Sequence, residues 1–217
     1  MPHDPSHPWL HFVGVGGSGM SALAQFHAGR GGRATGSDRA FDQGERQEIR
    51  DALAAAGVEI VPQDGAALST DCAALVVSTA VEESIADVAR ARALDLPVKH
   101  RSELLQVYVA QHQTLAVTGT SGKSTVTAML WTLLRGCGHD PGLLTGGPAV
   151  ALQEQGLLGN AWGGEQPGFL VIEADESDGS LVQYHPWLGV VLNLGRDHTE
   201  PAEIAEMFST FRLQCAG

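Results

Sequence analysis

The chain has 217 residues with 25 acidic side chains against 13 basic ones, a formal charge of −12, which excludes a nucleic-acid-binding face because that needs a basic stripe. Hydrophobic content of 43% and charged content of 18% belong to an ordinary globular protein of one large or two small domains, with no apolar run of about 18 residues to span a membrane. Cys72, Cys137 and Cys215 are far apart and odd in number, and the start at Met1 has no basic region followed by an apolar run, so the expectation is a cytoplasmic protein with no disulfide framework, zinc spacing or signal peptide.

The first element, Leu10-His11-Phe12-Val13, reads as a short buried strand. It runs into Gly14-Val15-Gly16-Gly17-Ser18-Gly19, and a helix is expected over 20–28. This is a G-x-G-x-x-G turn between strand and helix, where backbone N–H groups can meet a diphosphate. Arg33-Ala34-Thr35-Gly36-Ser37-Asp38 is the expected second strand. It ends on an acid about 20 residues past the last glycine, where a dinucleotide fold places its ribose ligand. Alone, that fingerprint fits NAD or NADP, and Asp38 fits a turn residue as readily. A helix over 45–56 follows, then strands over 58–61 and 73–78, a helix over 83–94, a strand over 96–99 and a helix over 101–110. The apolar run at 73–78, ending at Ser78, suits a parallel strand buried on both faces. Strands alternating with helices give a doubly wound α/β unit over 1–112.

A second α/β unit is expected over 113–217. It opens with the strand Leu115-Ala116-Val117-Thr118, then Gly119-Thr120-Ser121-Gly122-Lys123-Ser124-Thr125, then a helix to about 135. Glycines let the backbone approach phosphate, Lys123 supplies a cation for the outer phosphates, and Ser124 can hold magnesium. The usual loop is G-x-x-x-x-G-K-[ST], and Val117 stands where its first glycine would be, so this is a shortened form. The competing reading is a plain strand–helix turn that contains a lysine. A strand running into a tight turn over 142–148 and a stretch that is mostly loop over 153–167 follow. The buried strand Phe169-Leu170-Val171-Ile172 delivers Glu173, Asp175, Glu176 and Asp178 at its C-terminal end. Four carboxylates in six residues repel unless a cation or solvent lies among them. A solvated acidic loop is the alternative, but strand C-termini are where open parallel sheets bind ligands. A strand over 188–193 releases Asn193, Asp197 and His198 on the same edge. A helix over 201–214 carries Ile204, Met207, Phe208 and Phe211 at core spacing.

Taken in order, these motifs (14–21, Gly36-Ser37-Asp38, Ser78-Thr79-Ala80, 119–125, 173–178 and Asp197-His198) resemble the Mur ligases of peptidoglycan synthesis over nearly the whole chain. The shortened phosphate loop is that family's own form. The resemblance implies a Rossmann-like parallel-sheet N-terminal domain followed by part of a P-loop α/β central domain. It assigns a UDP-sugar, in place of a nicotinamide, to Gly14, Gly16, Gly17, Ser18, Gly19, Met20, Asp38 and Ser78. It assigns ATP to Gly119, Thr120, Ser121, Gly122, Lys123, Ser124, Thr125 and Asn193, and Mg2+ to Ser124, Glu173 and His198. Lys123, Glu173 and His198 would carry the catalytic roles, with Asp197 shaping the same edge. The substrates implied are UDP-N-acetylmuramate and an amino acid, L-alanine in the branch most resembled. The reaction implied forms an acyl phosphate and then an amide.

The sequence departs from that pattern in three places. Ser121-Gly122-Lys123-Ser124 stands where the alanine ligases have His-Gly-Lys-Thr, and 193–200 also differs. These leave the amino acid and sugar open, and a non-catalytic nucleotide-binding paralogue remains the alternative. The family's central domain runs well past 217, and a third domain completes the site. The expectation is therefore little or no turnover by these residues alone, and self-association through uncovered central-domain surface. No lysine follows Lys123, so a carbamylated lysine of the kind several relatives use cannot come from these residues.

Overall fold

A computed structural model describes residues 8–165, 168–175, 179–194 and 201–216. Two sheets are built in succession, the first all parallel and the second parallel except for a short edge strand. The first takes β1 (Trp9–Val13), β2 (Arg33–Ser37), β3 (Val58–Ile60), β4 (Ala74–Val77) and β5 (Val98–His100) in the order β3-β2-β1-β4-β5. The helices α1 (Ser18–Gly29), α3 (Gln47–Ala55), α4 (Ala86–Ala93) and α5 (Arg101–Gln111) connect them. The order reverses between β1 and β4, and the glycine turn leaves β1 at that crevice. Open α/β sheets bind ligands at this switch point.

The second sheet has the order β10-β6-β9-β7-β8. Its strands are β6 (Gln113–Thr118), β7 (Gly142–Leu144), β8 (Ala161–Trp162), β9 (Phe169–Glu173) and β10 (Leu188–Val191). The change of sheet falls at His112, between α5 and β6. β6 lies between β10 and β9, and the register sets Val117 against Glu173 and Thr118 against Val191. The phosphate loop leaving β6 for α6 (Lys123–Gly136) is therefore flanked by the C-terminal ends of both neighbours. The helix expected over 201–214 is α8 (Pro201–Gln214), with Phe208 and Phe211 in the core and Met207 packed against it. The Ile204 side chain lies outside the described residues.

Four elements were not expected. α2 (Arg39–Asp42) is one turn, capped by Asp38. α7 (Val150–Gln153) and β8 punctuate the stretch around the predicted 153–167 loop, and a 3-10 turn spans Ser180–Gln183. β8 is only two residues long and pairs antiparallel with β7, too short for any periodic signal.

α1 explains why the two sheets share one core. Every residue from Met20 to His27 is buried, and a helix buried all round needs partners on both sides. One side packs on the first sheet. The other meets β7 and β8, where Gly142 leaves room for the Phe26 ring and Gly163 lies against Gly29. Phe12, Phe26, Leu170, Ile172 and Tyr184 belong to a single apolar cluster. Burying each of these side chains contributes about 1.5–3 kcal/mol. Met20 belongs to that cluster, so its side chain packs, and only its backbone lies near the turn expected to bind substrate. Among the described residues no helix is long and apolar enough to cross a membrane.

Candidate functional site: two anion cradles on one cleft

The first cradle starts where β1 ends. Gly14 has φ +72°, a left-handed conformation that glycine adopts without strain, and turns the chain so that Gly14 N–H and Val15 N–H both donate to the Ser37 carbonyl at 2.8 and 3.0 Å. The Ser37 hydroxyl in turn donates to Asp87, whose side chain is 1% exposed. Asp87 also accepts from Gly65 N–H at 2.8 Å and lies 3.4 Å from His11 Nε2. Burial alone would push this carboxyl up. The hydrogen bonds from His11, Ser37 and Gly65 outweigh it and hold Asp87 below the ordinary aspartate value. The turn therefore rests on a buried, fully satisfied carboxylate. Gly17 and Ser18, at the start of α1, are exposed, and no side chain caps the helix. That end of α1 is suited to an anion.

Asp38, for which the sequence left a ribose ligand and a turn residue open, holds backbone. Its Oδ1 accepts from Ala40 N–H and its Oδ2 from Gly16 N–H, both at 2.9 Å. Both oxygens hold backbone, so Asp38 fixes the turn and starts α2. A Cβ at Gly16 would sit 2.9 Å from Asp38 Oδ2 and 3.1 Å from the Phe41 ring, so the close packing demands glycine. Ser78 follows β4 across the crevice, and its carbonyl accepts from Val81 N–H in a turn beside Gly14.

Two cations flank this turn that no motif singled out. Arg46 donates to the Gly16 carbonyl at 3.3 Å. Arg101, first residue of α5, crosses Gly19 so closely that a Cβ there would strike its guanidinium. The two come from places 55 residues apart, and only the fold brings them to one turn.

The second cradle is pinned from β10. Gly119 (φ +136°) passes so close to the chain there that a Cβ would meet Asn193 N at 3.1 Å. The Asn193 side chain accepts from Ser121 N–H at 3.0 Å and donates to the Ser121 carbonyl at 2.9 Å. Asn193 thus holds the loop. Gly122 (φ +84°) turns the chain into α6, and Lys123 Nζ lies 3.8 Å from Asp175 Oδ1. Thr120 completes the loop, and Thr125 lies in the first turn of α6.

A glycine pair after β7 lies between the two cradles. Glu173 Oε2 accepts from Thr145 Oγ1 at 2.9 Å and Gly146 N–H at 2.7 Å. A Cβ at Gly146 would approach Glu173 at 3.3 Å, and one at Gly147 would meet Ser124 Oγ at 3.2 Å. The Gly146-Gly147 wedge therefore separates a hydroxyl from a carboxylate. Hard divalent cations take oxygen ligands of that kind. Ser124 and Glu173 fit magnesium. The other expected ligand, His198, lies outside the described residues, as do Asp197, Glu176 and Asp178. Among the described residues no group of three or more His, Cys, Asp or Glu side chains converges.

The cavity bearing Ser18, Gly19 and Arg101 also bears Thr145, Gly146, Glu173 and Asp175. An adjoining one joins Gly16, Gly17 and Arg46 to Gly146, Pro148 and Asn160. Gly146 is common to both, so the glycine turn and the acidic edge of the phosphate-loop sheet face one cleft.

Residues 10–113 match the Mur ligase family, catalytic domain. A UDP-N-acetylmuramate–L-alanine ligase of Synechococcus sp. (strain CC9605) is 39% identical over 199 residues, which are 88% of this chain and 40% of that protein. One from Rubrobacter xylanophilus is 35% identical over 209 residues, 96% of this chain and 44% of that protein. Among solved structures, the UDP-N-acetylmuramate-alanine ligase of Thermotoga maritima gives a TM-score of 0.82 at 27% identity, covering 97% of this chain and 48% of its own. The UDP-N-acetylmuramate:L-alanyl-gamma-D-glutamyl-meso-diaminopimelate ligase of Neisseria meningitides gives 0.79 at 26% identity, covering 96% and 68%. The chain spans less than half the length of these alanine ligases.

Proposed function

We propose that this chain, which belongs to the Mur ligase family, forms the nucleotide-sugar and ATP-phosphate part of a ligase joining L-alanine to UDP-N-acetylmuramate. The division of labour is a UDP-sugar unit over 1–112 and an ATP unit over 113–217. The observation that carries the reading is the cleft at Gly146: the N-terminus of α1 and Arg101 line it together with Glu173 and Asp175, and Lys123 of the phosphate loop lies 3.8 Å from Asp175. A nicotinamide enzyme would explain the first turn alone.

In this reading Gly16, Gly17, Ser18 and Gly19 receive the UDP diphosphate, with Arg46 and Arg101 neutralising it. The sugar's carboxylate then points toward the phosphate loop. There Lys123 steadies the outer phosphates of ATP, and Ser124 and Glu173 would hold magnesium, which would offset negative charge on the phosphates. A carboxylate oxygen attacks the γ-phosphorus and ADP leaves. The amino acid's neutral amine attacks the resulting acyl carbon, inorganic phosphate leaves, and the amine's extra proton passes to solvent or a nearby base. The protein's contribution to both displacements is placement and charge neutralisation. The amino-acid pocket is not assigned to these residues, so binding without turnover is expected of them alone.

Calorimetric titration with UDP-N-acetylmuramate, ATP with magnesium, and NADH tests the assignment. Binding of the first two and none of the third is expected. Tight NADH binding with no response to the UDP-sugar would reverse it.

A further inference from the structure

Asn160 belongs to none of the motifs and lies in the short connection before β8. Its side chain bonds the first turns of α1, and its backbone bonds the strand end that supports Glu173. Asn160 is 7% exposed, and every polar atom of its amide is engaged. Its Nδ2 donates to the Ser18 carbonyl at 2.9 Å and to Ser21 Oγ at 2.8 Å, both in the first turn of α1. Its Oδ1 accepts from Gln25 Nε2 at 2.8 Å, one turn further along the same helix. Its own carbonyl accepts from Thr145 N–H at 3.0 Å. Thr145 Oγ1 then donates to Glu173. A continuous hydrogen-bonded path thus runs from the helix N-terminus that faces the first anion to the carboxylate that faces the second.

We infer that Asn160 is a positioning residue that fixes the spacing of the two cradles and couples their occupancy. The inference rests on the ligand assignment proposed above. Apolar packing of α1 on β7 and β8 allows small sliding, because it has no directional preference. A buried amide satisfied on three sides does not, since any shift leaves a buried polar group unpaired. Ordering of this path by a ligand at one cradle lowers the ordering cost for a ligand at the other, which gives positive coupling.

The test measures UDP-N-acetylmuramate affinity for the 217-residue chain with and without saturating magnesium and a non-hydrolysable ATP analogue. For the unaltered chain, the analogue is expected to tighten UDP-sugar binding about fivefold or more. In Asn160→Ala that factor should fall below about twofold while both ligands still bind. A loss of stability alone would not remove coupling between two ligands that still bind. If Asn160→Ala does not fold, Gln25→Met leaves Asn160 in place without the bond that orients its amide, and the factor should fall in the same direction. Undiminished coupling in a folded variant would overturn the inference. So would an unaltered chain that binds both ligands independently, which leaves the ligand assignment standing. An unaltered chain that binds no UDP-sugar overturns the assignment itself, and the inference with it.

Discussion

The two anion-binding turns share a geometry, strand to glycine turn to helix, and differ in what holds them. The turn after β1 is set into the core. Its N–H groups bond to Ser37 and Asp38, and beneath Ser37 lies the buried carboxylate of Asp87. The turn after β6 is held from outside by the exposed side chain of Asn193. Their cations differ in the same way. Lys123 lies inside its own motif, while Arg46 and Arg101 reach the first turn from α3's start and α5's start.

The contrast should be most visible in stability. Asp87→Asn loses a charge that accepts three bonds and disturbs the support of Ser37, and is expected to cost about 2–4 kcal/mol in urea unfolding. Asn193→Ala touches only an exposed loop and should cost under about 1 kcal/mol. Equal costs would erase the distinction. Binding comes next. Lys123→Ala should weaken ATP by roughly 10–100-fold, the worth of a charge-assisted bond, with UDP-sugar affinity unchanged. Arg101→Ala should do the reverse, weakening the UDP-sugar about tenfold and sparing ATP. Calorimetry reads both, and a variant that moved both ligands alike would blur the assignment of one cation set per cradle.

Acid should also separate the two turns. Asp87 is held below the ordinary aspartate value in the folded protein, so its stabilisation is complete above pH ~4, the unfolded aspartate value, and is lost as pH falls through the lower folded one. The urea midpoint should drop on going from pH 5 to pH 3, and by less in Asp87→Asn. An identical drop in both proteins would take Asp87 out of the acid response. The smallest effect concerns the outside of α6. Met129 and Leu133 there are 65% and 63% exposed, beside Val150 of α7 at 66%. Light scattering should show association that rises with concentration and is reduced by Leu133→Lys, with no change in ATP affinity.

The same contrast marks what could be read from the chain. Gly119–Ser124 was legible because motif, strand and helix are contiguous, and each glycine answers a local demand. The alternation of strands and helices was legible because apolar runs and turn residues repeat along the chain. Arg46, Arg101 and Asn160 were not, because their importance comes from partners far away in sequence. Asp38 was legible as a key residue but with two roles open, since a strand-end acid beside a glycine turn serves a ribose or a backbone N–H equally well. The capped turn α2 and the two-residue β8 lie below the length at which periodicity speaks.

The most direct test of one shared cleft is a crystal structure with UDP-N-acetylmuramate and a magnesium-bound ATP analogue present together. The expected result is a diphosphate at residues 16–19 between Arg46 and Arg101, and a γ-phosphate at Lys123, both opening on Gly146. A UDP-sugar seated away from that turn, or two ligands on opposite faces of the molecule, would contradict it.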